Sequence, residues 1–254
     1  MEKPLRIATW NLDHASNSAR PVGLQVDAIM AVRPDILVLT ETCDEIDLDV
    51  HGYVRCTPKD RNKYGKYWTA IHLSERVTRL EELESFKDGV ISCVRVQTDL
   101  GQLIVYGTIL PYRDYKGPDD ASGAWKEHYR AIETQGRHWA QLVKEAPLVV
   151  AGDFNQTRDN SRGTYGTRIG REVLTRKLGE CHLECLTEED LGAAGKLKAD
   201  PAKGWPRNNI DHICITRDTC QVVKVGAWDH FIRTGQRVQY LSDHNGVYVD
   251  LKAK

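Results

Sequence analysis

No stretch of this 254-residue chain approaches the about 20 consecutive apolar residues a membrane-spanning helix requires, so no membrane insertion is expected. Strong charge of either sign is also missing. The 35 Lys and Arg against 36 Asp and Glu leave a net charge of −1, which gives the whole chain no electrostatic case for nucleic acid. No Pro/Gly/Ser-rich linker, internal repeat or low-complexity tract interrupts the sequence, so one domain over residues 1–254 with a substantial core is expected. Met1-Glu2-Lys3-Pro4 runs straight into a strand pattern and leaves no room for a signal peptide, which favours a cytoplasmic setting. The seven cysteines are odd in number, and Cys93 and Cys214 sit inside strand-like runs where a reduced thiol behaves as a small hydrophobe. Cys181-His182-Leu183-Glu184-Cys185 lacks the second ligand pair of a zinc site and reads as buried cysteine. Nothing calls for an obligate protein partner.

What the chain has is a series of short, β-branched apolar runs. Strands are expected near 5–10, 35–40, 67–73, 90–97, 102–110, 147–151, 210–216, 221–227 and 246–251. Helices are expected near 22–33, 122–144 and 167–178. In the first of them Leu24, Ala28, Ile29 and Val32 recur at helical spacing until Pro34 stops the pattern. Many strands with helices between them, and enough apolar faces for two sheets, indicate an α+β sandwich of sheets covered by helices.

The most informative segment is Gly152-Asp153-Phe154-Asn155, at the end of the apolar run Pro147–Ala151. Asp153 and Asn155 lie two residues apart, so on an extended backbone both point to one face while Phe154 points into the core. A polar turn in which Asp and Asn bond their own backbone would have the same sequence. The same grammar then recurs: Thr9-Trp10 ends in Asn11-Leu12-Asp13, and Asp35–Leu39 ends in Thr40-Glu41. Asn209-Ile210-Asp211-His212 carries an acid inside a strand pattern, and Ser242-Asp243-His244 precedes Val247–Leu251. One acid at a strand end is usually a turn residue. Five such ends, all using side chains that bind metals or carry protons, are not.

In this order, Trp10-Asn11, Thr40-Glu41, Gly152-Asp153-Phe154-Asn155, Ile210-Asp211-His212 and Ser242-Asp243-His244 resemble the endonuclease/exonuclease/phosphatase superfamily, over almost the whole chain. The resemblance implies a four-layer αββα sandwich of two mainly antiparallel mixed sheets flanked by helices. It also implies attack of activated water on a phosphate ester, aided by Mg²⁺ or Mn²⁺, which suit hard oxygen ligands. It makes Glu41 the principal metal ligand with Asn11 beside it, Asp243 and Asp13 being further candidates. Asp153 and Asn155 orient the water, Asn155 with a further donation to the phosphate. Asp211 holds His244, and either Asp153 or His244 takes the proton.

One position departs from the superfamily pattern. Where many members place a phosphate-contacting His or Tyr after a middle strand, this chain has Ile109, so Tyr112, Arg113 or Tyr115 is expected to substitute. Arg158, Arg162, Arg168 and Arg171 with Tyr165 follow Asn155 and form a candidate substrate-contacting cluster, because cations hold phosphates while aromatics stack bases. A second group (Arg55, Lys59, Arg61, Lys63 and Lys66 among Tyr64, Tyr67 and Trp68) reads as a solvated loop. Residues 112–125 form a candidate lip over the site. The leading expectation is a nuclease or phosphodiesterase acting on nucleic acid or a nucleotide-derived substrate. A phosphatase of a small or lipid-linked phosphoester is the alternative, with lipid ranked lower for want of an apolar hairpin. A non-catalytic binding module is disfavoured by the intact motifs.

Overall fold

The computed structural model describes residues 3–14, 21–56, 66–83, 90–116, 123–159 and 164–254. The elements run β1 (Leu5–Asn11), α1 (Val22–Val32), β2 (Ile36–Thr42), β3 (Val54–Cys56), β4 (Tyr67–Leu73), β5 (Thr78–Glu82), β6 (Ile91–Thr98), β7 (Gly101–Ile109), α2 (Lys126–Leu142), β8 (Leu148–Asp153), α3 (Arg168–Glu180), β9 (Leu183–Cys185), β10 (Asp211–Thr216), β11 (Gln221–Trp228), β12 (Phe231–Thr234), β13 (Arg237–Tyr240) and β14 (Gly246–Lys252). One mixed sheet has the order β11-β14-β1-β2-β4-β3, the other β5-β6-β7-β8-β10-β9, and β12 with β13 makes a separate ribbon.

The central strands are apolar on both faces because each face is covered. Leu5 and Ile7 of β1 meet Val38, Val94, Val149 and Ile213 between the two sheets. The alternate residues Ala8 and Trp10 point outward with Leu37 and Leu39 against Ile29 of α1. On the opposite outer face Tyr106 and Val150 cover Ile132 and Trp139 of α2 and Leu174 of α3. Each such side chain taken wholly out of water contributes about 1.5–3 kcal/mol. The expected helix–sheet–sheet–helix layering is therefore present.

Each sheet contains one parallel pair joined by a helical crossover: β1 and β2 through α1, β7 and β8 through α2. Parallel pairing sends the carboxyl ends of β1 and β2 to the same edge. β10 runs antiparallel to β8 with Asp211 opposite Asp153. β14 runs antiparallel to β1, with Val247 opposite Thr9, so the turn before β14 reaches that edge as well. Topology thus gathers residues that sequence scatters from position 11 to position 244.

Sequence periodicity overextends α2, which starts at Lys126 because Trp125 adopts a left-handed conformation (φ 70°) that no helix continues through. It misses β3, β5, β9, β12 and β13. β5 is exposed at all five positions, so it has no apolar alternation to detect, and the others are only three or four residues long. Gly152 is required where β8 meets β7. Its φ is +140°, and a Cβ there would lie 1.8 Å from the Thr108 carbonyl oxygen.

Candidate active site

Asp153 ends β8 and is almost fully buried. Its Oδ1 accepts from the Asn155 backbone N–H at 2.7 Å, and its Oδ2 accepts from Asn155 Nδ2 at 2.9 Å and Asn11 Nδ2 at 3.1 Å. Asn11 Nδ2 also donates to Glu41 Oε1 at 3.2 Å, so one buried amide ties a carboxylate of the first sheet to one of the second. The Asn11 side-chain oxygen Oδ1 accepts from the Asp13 backbone N–H at 2.8 Å. Asn11 is thus placed to position two acids, the donation to Glu41 being the contact that puts it beside that residue.

Glu41 holds its other oxygen 3.0 Å from His14 Nε2. Burial would raise the Glu41 pKa, but the His14 and Asn11 hydrogen bonds outweigh it and hold the group below its ordinary value. His14 was not anticipated, since a lone His after Asp13 carries no strand-end signal. Asp13, His14, Glu41 and Asn155 all have φ between 47° and 50°, which costs a non-glycine residue about 1 kcal/mol or more. That strain is concentrated where the chain turns around this edge.

His244 Nδ1 lies 2.6 Å from Asp211 Oδ2, which leaves Nε2 facing the pocket, 3.7 Å from Asp243 Oδ1. The backbone around it is pinned: Ser242 Oγ donates to the Asn11 carbonyl at 2.6 Å, and Trp10 Nε1 donates to the His244 carbonyl at 2.7 Å. Burial would depress the imidazole, yet the Asp211 and Asp153 carboxylates outweigh it and raise its pKa to about 10. Asp153 is pushed up to about 8, first by burial and further by Asp211 and Glu41.

Asp153, Asp211 and His244 bring one candidate ligand atom each within 4.8 Å of one another, and they form the only such group among the described residues. Buried Asp211 Oδ1 has no hydrogen-bond partner. A carboxylate oxygen left unpartnered beside a second acid fits a hard divalent cation, as does a donor set of two carboxylates with one imidazole. Asp153, Asp211 and His244, expected from sequence to act together, thus lie side by side, with Glu41 and Asp243 lining the same cavity of about 440 Å³. Asp13 is not part of that lining.

The expected substrate residues divide. Tyr112 and Tyr165 line the cavity, both partly exposed. Arg113 points to solvent with Asp114 3.6 Å away. Arg158 is turned away, donating to Thr175 at 2.8 Å with Glu188 3.4 Å distant, and Arg168 is spent on an i,i+4 pair with Glu172 at 2.5 Å. Neither lines the cavity: Arg158 leaves the loop after β8 toward Thr175, and Arg168 leaves the start of α3 toward Glu172. Arg162 lies outside the described residues, as do Lys59, Arg61, Lys63 and Tyr64 of the other basic group. Of the rest, Tyr67 is buried and Arg55 pairs with Asp44 at 2.7 Å. Both N–H groups of Asn155 are taken, by Asp153 and the Leu110 carbonyl (2.9 Å), so donation to a phosphate does not fit this geometry.

Cations enter instead from the loop before β10. Lys203, Trp205, Arg207 and Asn208 line the cavity. Arg207 donates to the Asp243 carbonyl and, at 3.3 Å, to Asp200. Asp200 is braced by Tyr240 Oη (3.0 Å), His230 Nε2 (3.1 Å) and the Ala202 N–H (2.9 Å); burial opposes its charge but these bonds prevail and hold its pKa at about 2. Lys203-Gly204-Trp205-Pro206-Arg207, leading into Ile210-Asp211, was the readable signal that went unused.

The sequence profile of the Endonuclease/Exonuclease/phosphatase family matches residues 8–244. No curated protein matches significantly in sequence. Among solved structures, an AP endonuclease from Archaeoglobus fulgidus superposes with a TM-score of 0.68 at 17% identity, covering 98% of this chain and 100% of that one. D. rerio TDP2 complexed with a single-strand DNA product gives 0.66 at 18%, covering 99% and 100%. The human nocturnin catalytic domain with bound sulfate gives 0.64 at 20%, covering 99% and 94%. No described helix is long and apolar enough to cross a membrane.

Proposed function

Since the chain belongs to the endonuclease/exonuclease/phosphatase family, we propose that it is a Mg²⁺- or Mn²⁺-dependent phosphodiesterase that cleaves nucleic acid or a nucleotide-derived phosphodiester. The observation that carries this reading is the Asp211–His244 contact of 2.6 Å beside the Asn11 amide that bridges Glu41 and Asp153. Glu41, Asp153, Asp211 and Asp243 would hold the cation. When bound, it offsets the charge that builds on the phosphoryl and leaving oxygens.

The protein's own groups supply the rest. Asp153, held by three N–H donors at the cavity wall, would lose its own proton when the cation binds and then accept one from an attacking water. The Asn155 carbonyl orients that water. His244, kept charged by Asp211, presents Nε2–H to a phosphoryl oxygen. Arg207 and Lys203 supply the positive charge that Ile109 does not.

The assay is cleavage of plasmid, single-stranded and abasic oligonucleotides and of bis-p-nitrophenyl phosphate, with Mg²⁺ or Mn²⁺ and after chelation. Loss of all turnover on chelation is expected, and activity that survives it overturns the metal requirement. A second reading, a phosphoesterase of small substrates, is favoured by one observation. Arg158 and Arg168 are paired with Glu188 and Glu172, which takes these two described arginines away from a long polyanion. Turnover of bis-p-nitrophenyl phosphate without oligonucleotide cleavage would support it.

A further inference from the structure

A second cavity, of about 550 Å³, lies behind the loop before β10 and shares Trp205, Arg207 and Asn208 with the active-site cavity. Its remaining wall includes Leu191, Pro206, Asn209, Asp159 and Asp190. We infer that this cavity is a nucleobase pocket, receiving the base next to the scissile phosphate and favouring bases that carry amino groups. The inference rests on the phosphodiesterase reading for its register, since His244 and Trp205 line one cavity and Trp205 also lines the next.

Three features select a base over another phosphate. Trp205 is 62% exposed, a large indole face open between the two cavities, which is what a stacked ring requires. Leu191 and Pro206 give apolar floor, and Gly192 packs so closely there that an added Cβ would sit 2.9 Å from Pro206. On the side away from Arg207, which the two cavities share, the polar groups include the carboxylates Asp159 and Asp190. Asn209 is 3% exposed with its Nδ2 donating to the Thr187 carbonyl at 3.2 Å, so it stiffens the wall. The carboxylates of Asp159 and Asp190 add acceptor capacity and negative charge. A phosphate would be repelled there, whereas the amino group of adenine, cytosine or guanine would donate. The Asp190 Oδ1 that accepts the Ala193 N–H at 2.9 Å also fixes this wall.

The test uses the full chain with Mg²⁺ or Mn²⁺ and three chromogenic diesters: bis-p-nitrophenyl phosphate, which has no base, and the p-nitrophenyl esters of adenosine and thymidine monophosphate. The kcat/KM of the adenosine ester should exceed that of the base-free diester by roughly 5- to 100-fold, the range expected of aromatic stacking. Ala193→Trp, which places bulk in the cavity from an exposed turn, should collapse that ratio. Asp159→Asn with Asp190→Asn should erase the preference for adenosine over thymidine. A ratio near one, or a ratio untouched by Ala193→Trp, overturns the pocket. Inhibition by single-stranded oligoadenylate tighter than by adenosine monophosphate assigns the base to a strand, and equal inhibition assigns it to a free nucleotide. Inhibition by neither overturns the inference. If no diester is cleaved, the catalytic reading fails separately. Calorimetric titration with adenosine monophosphate then decides the pocket: binding lost in Ala193→Trp supports it, and no binding to the unmodified protein refutes it.

Discussion

His244 and Asp211, separated by 33 residues in sequence, meet at 2.6 Å because β10 and the turn before β14 open onto the same sheet edge. Asp211 is 1% exposed and lies opposite Asp153 in the β8–β10 register, so the imidazole faces two acids on adjacent strands. What this pair does to the imidazole sets the first expectation.

Asp211→Asn should lower turnover by roughly 10²- to 10⁴-fold while the fold persists, because the amide neither holds the proton on Nδ1 nor supports the charge on the ring. The His244 pKa should fall toward its ordinary value, readable by NMR titration of the ring. An unchanged imidazole titration in the variant would show that Asp211 does not govern it.

Stability of the cation-free protein should fall as pH rises. Asp153, raised to about 8 by burial and its acid neighbours, keeps a proton in the folded state that the unfolded chain has already released. His244, raised to about 10, does the same over a higher range. Where the folded state binds more protons, stability declines with pH, so the decline runs from mildly acid pH to about 10 and is steepest where the two windows overlap, below pH 8. The melting temperature in chelator should drop by several degrees between pH 6.5 and 9. Mg²⁺ or Mn²⁺ should flatten the drop, since cation affinity rises as the same protons leave. An equal decline in Asp153→Asn would assign the effect elsewhere.

Asn11→Ala removes the amide that joins Glu41 to Asp153 and leaves each carboxylate with one donor fewer, Glu41 keeping His14 and Asp153 keeping Asn155. Weakening of the cation requirement by about 10- to 100-fold is expected, together with about 1–3 kcal/mol of lost stability. Titration of activity with Mn²⁺ and denaturant melts read the two effects independently. Asn11→Ala with an unaltered Mn²⁺ curve would mean the bridge does not shape the cation site.

Arg207→Ala should raise KM about tenfold or more for any phosphodiester, because its guanidinium is the preorganised cation of the cavity, held by Asp200 and the Asp243 carbonyl. Arg207→Lys should recover little, since a point charge cannot keep both contacts. Steady-state kinetics that show kcat and KM both unchanged would remove Arg207 from substrate binding.

Gly152→Ala should cost several kcal/mol and abolish folding at moderate temperature, because its Cβ has no room against the Thr108 carbonyl oxygen at 1.8 Å. A variant that melts within a degree of the parent protein would contradict the packing of β7 on β8.

Most of the strands were legible because their central residues are apolar on both faces, and runs such as Ile36–Leu39 and Leu148–Ala151 have no other reading. β5 was not, since an exposed edge strand rich in Arg and Glu carries no burial signal. The acids at strand ends were legible as types: Glu41, Asp153, Asp211, Asp243 and His244 all reach one cavity wall or the cluster beside it. The directions of Arg158 and Arg168 were not legible, because nearness to Asn155 in sequence does not set which way a side chain leaves its loop or helix.

The amino-acid order by itself determined which residue types stand at the ends of which strands, since alternation and apolar runs are local and follow from backbone geometry. Only the tertiary structure decided that His14 would take an oxygen of Glu41, that Arg207 would enter the cavity braced by Asp200, and that a second cavity would open behind Trp205. Those outcomes depend on the direction of single side chains and on loops whose position is set by packing across the whole sandwich, and neither leaves a periodic trace in sequence.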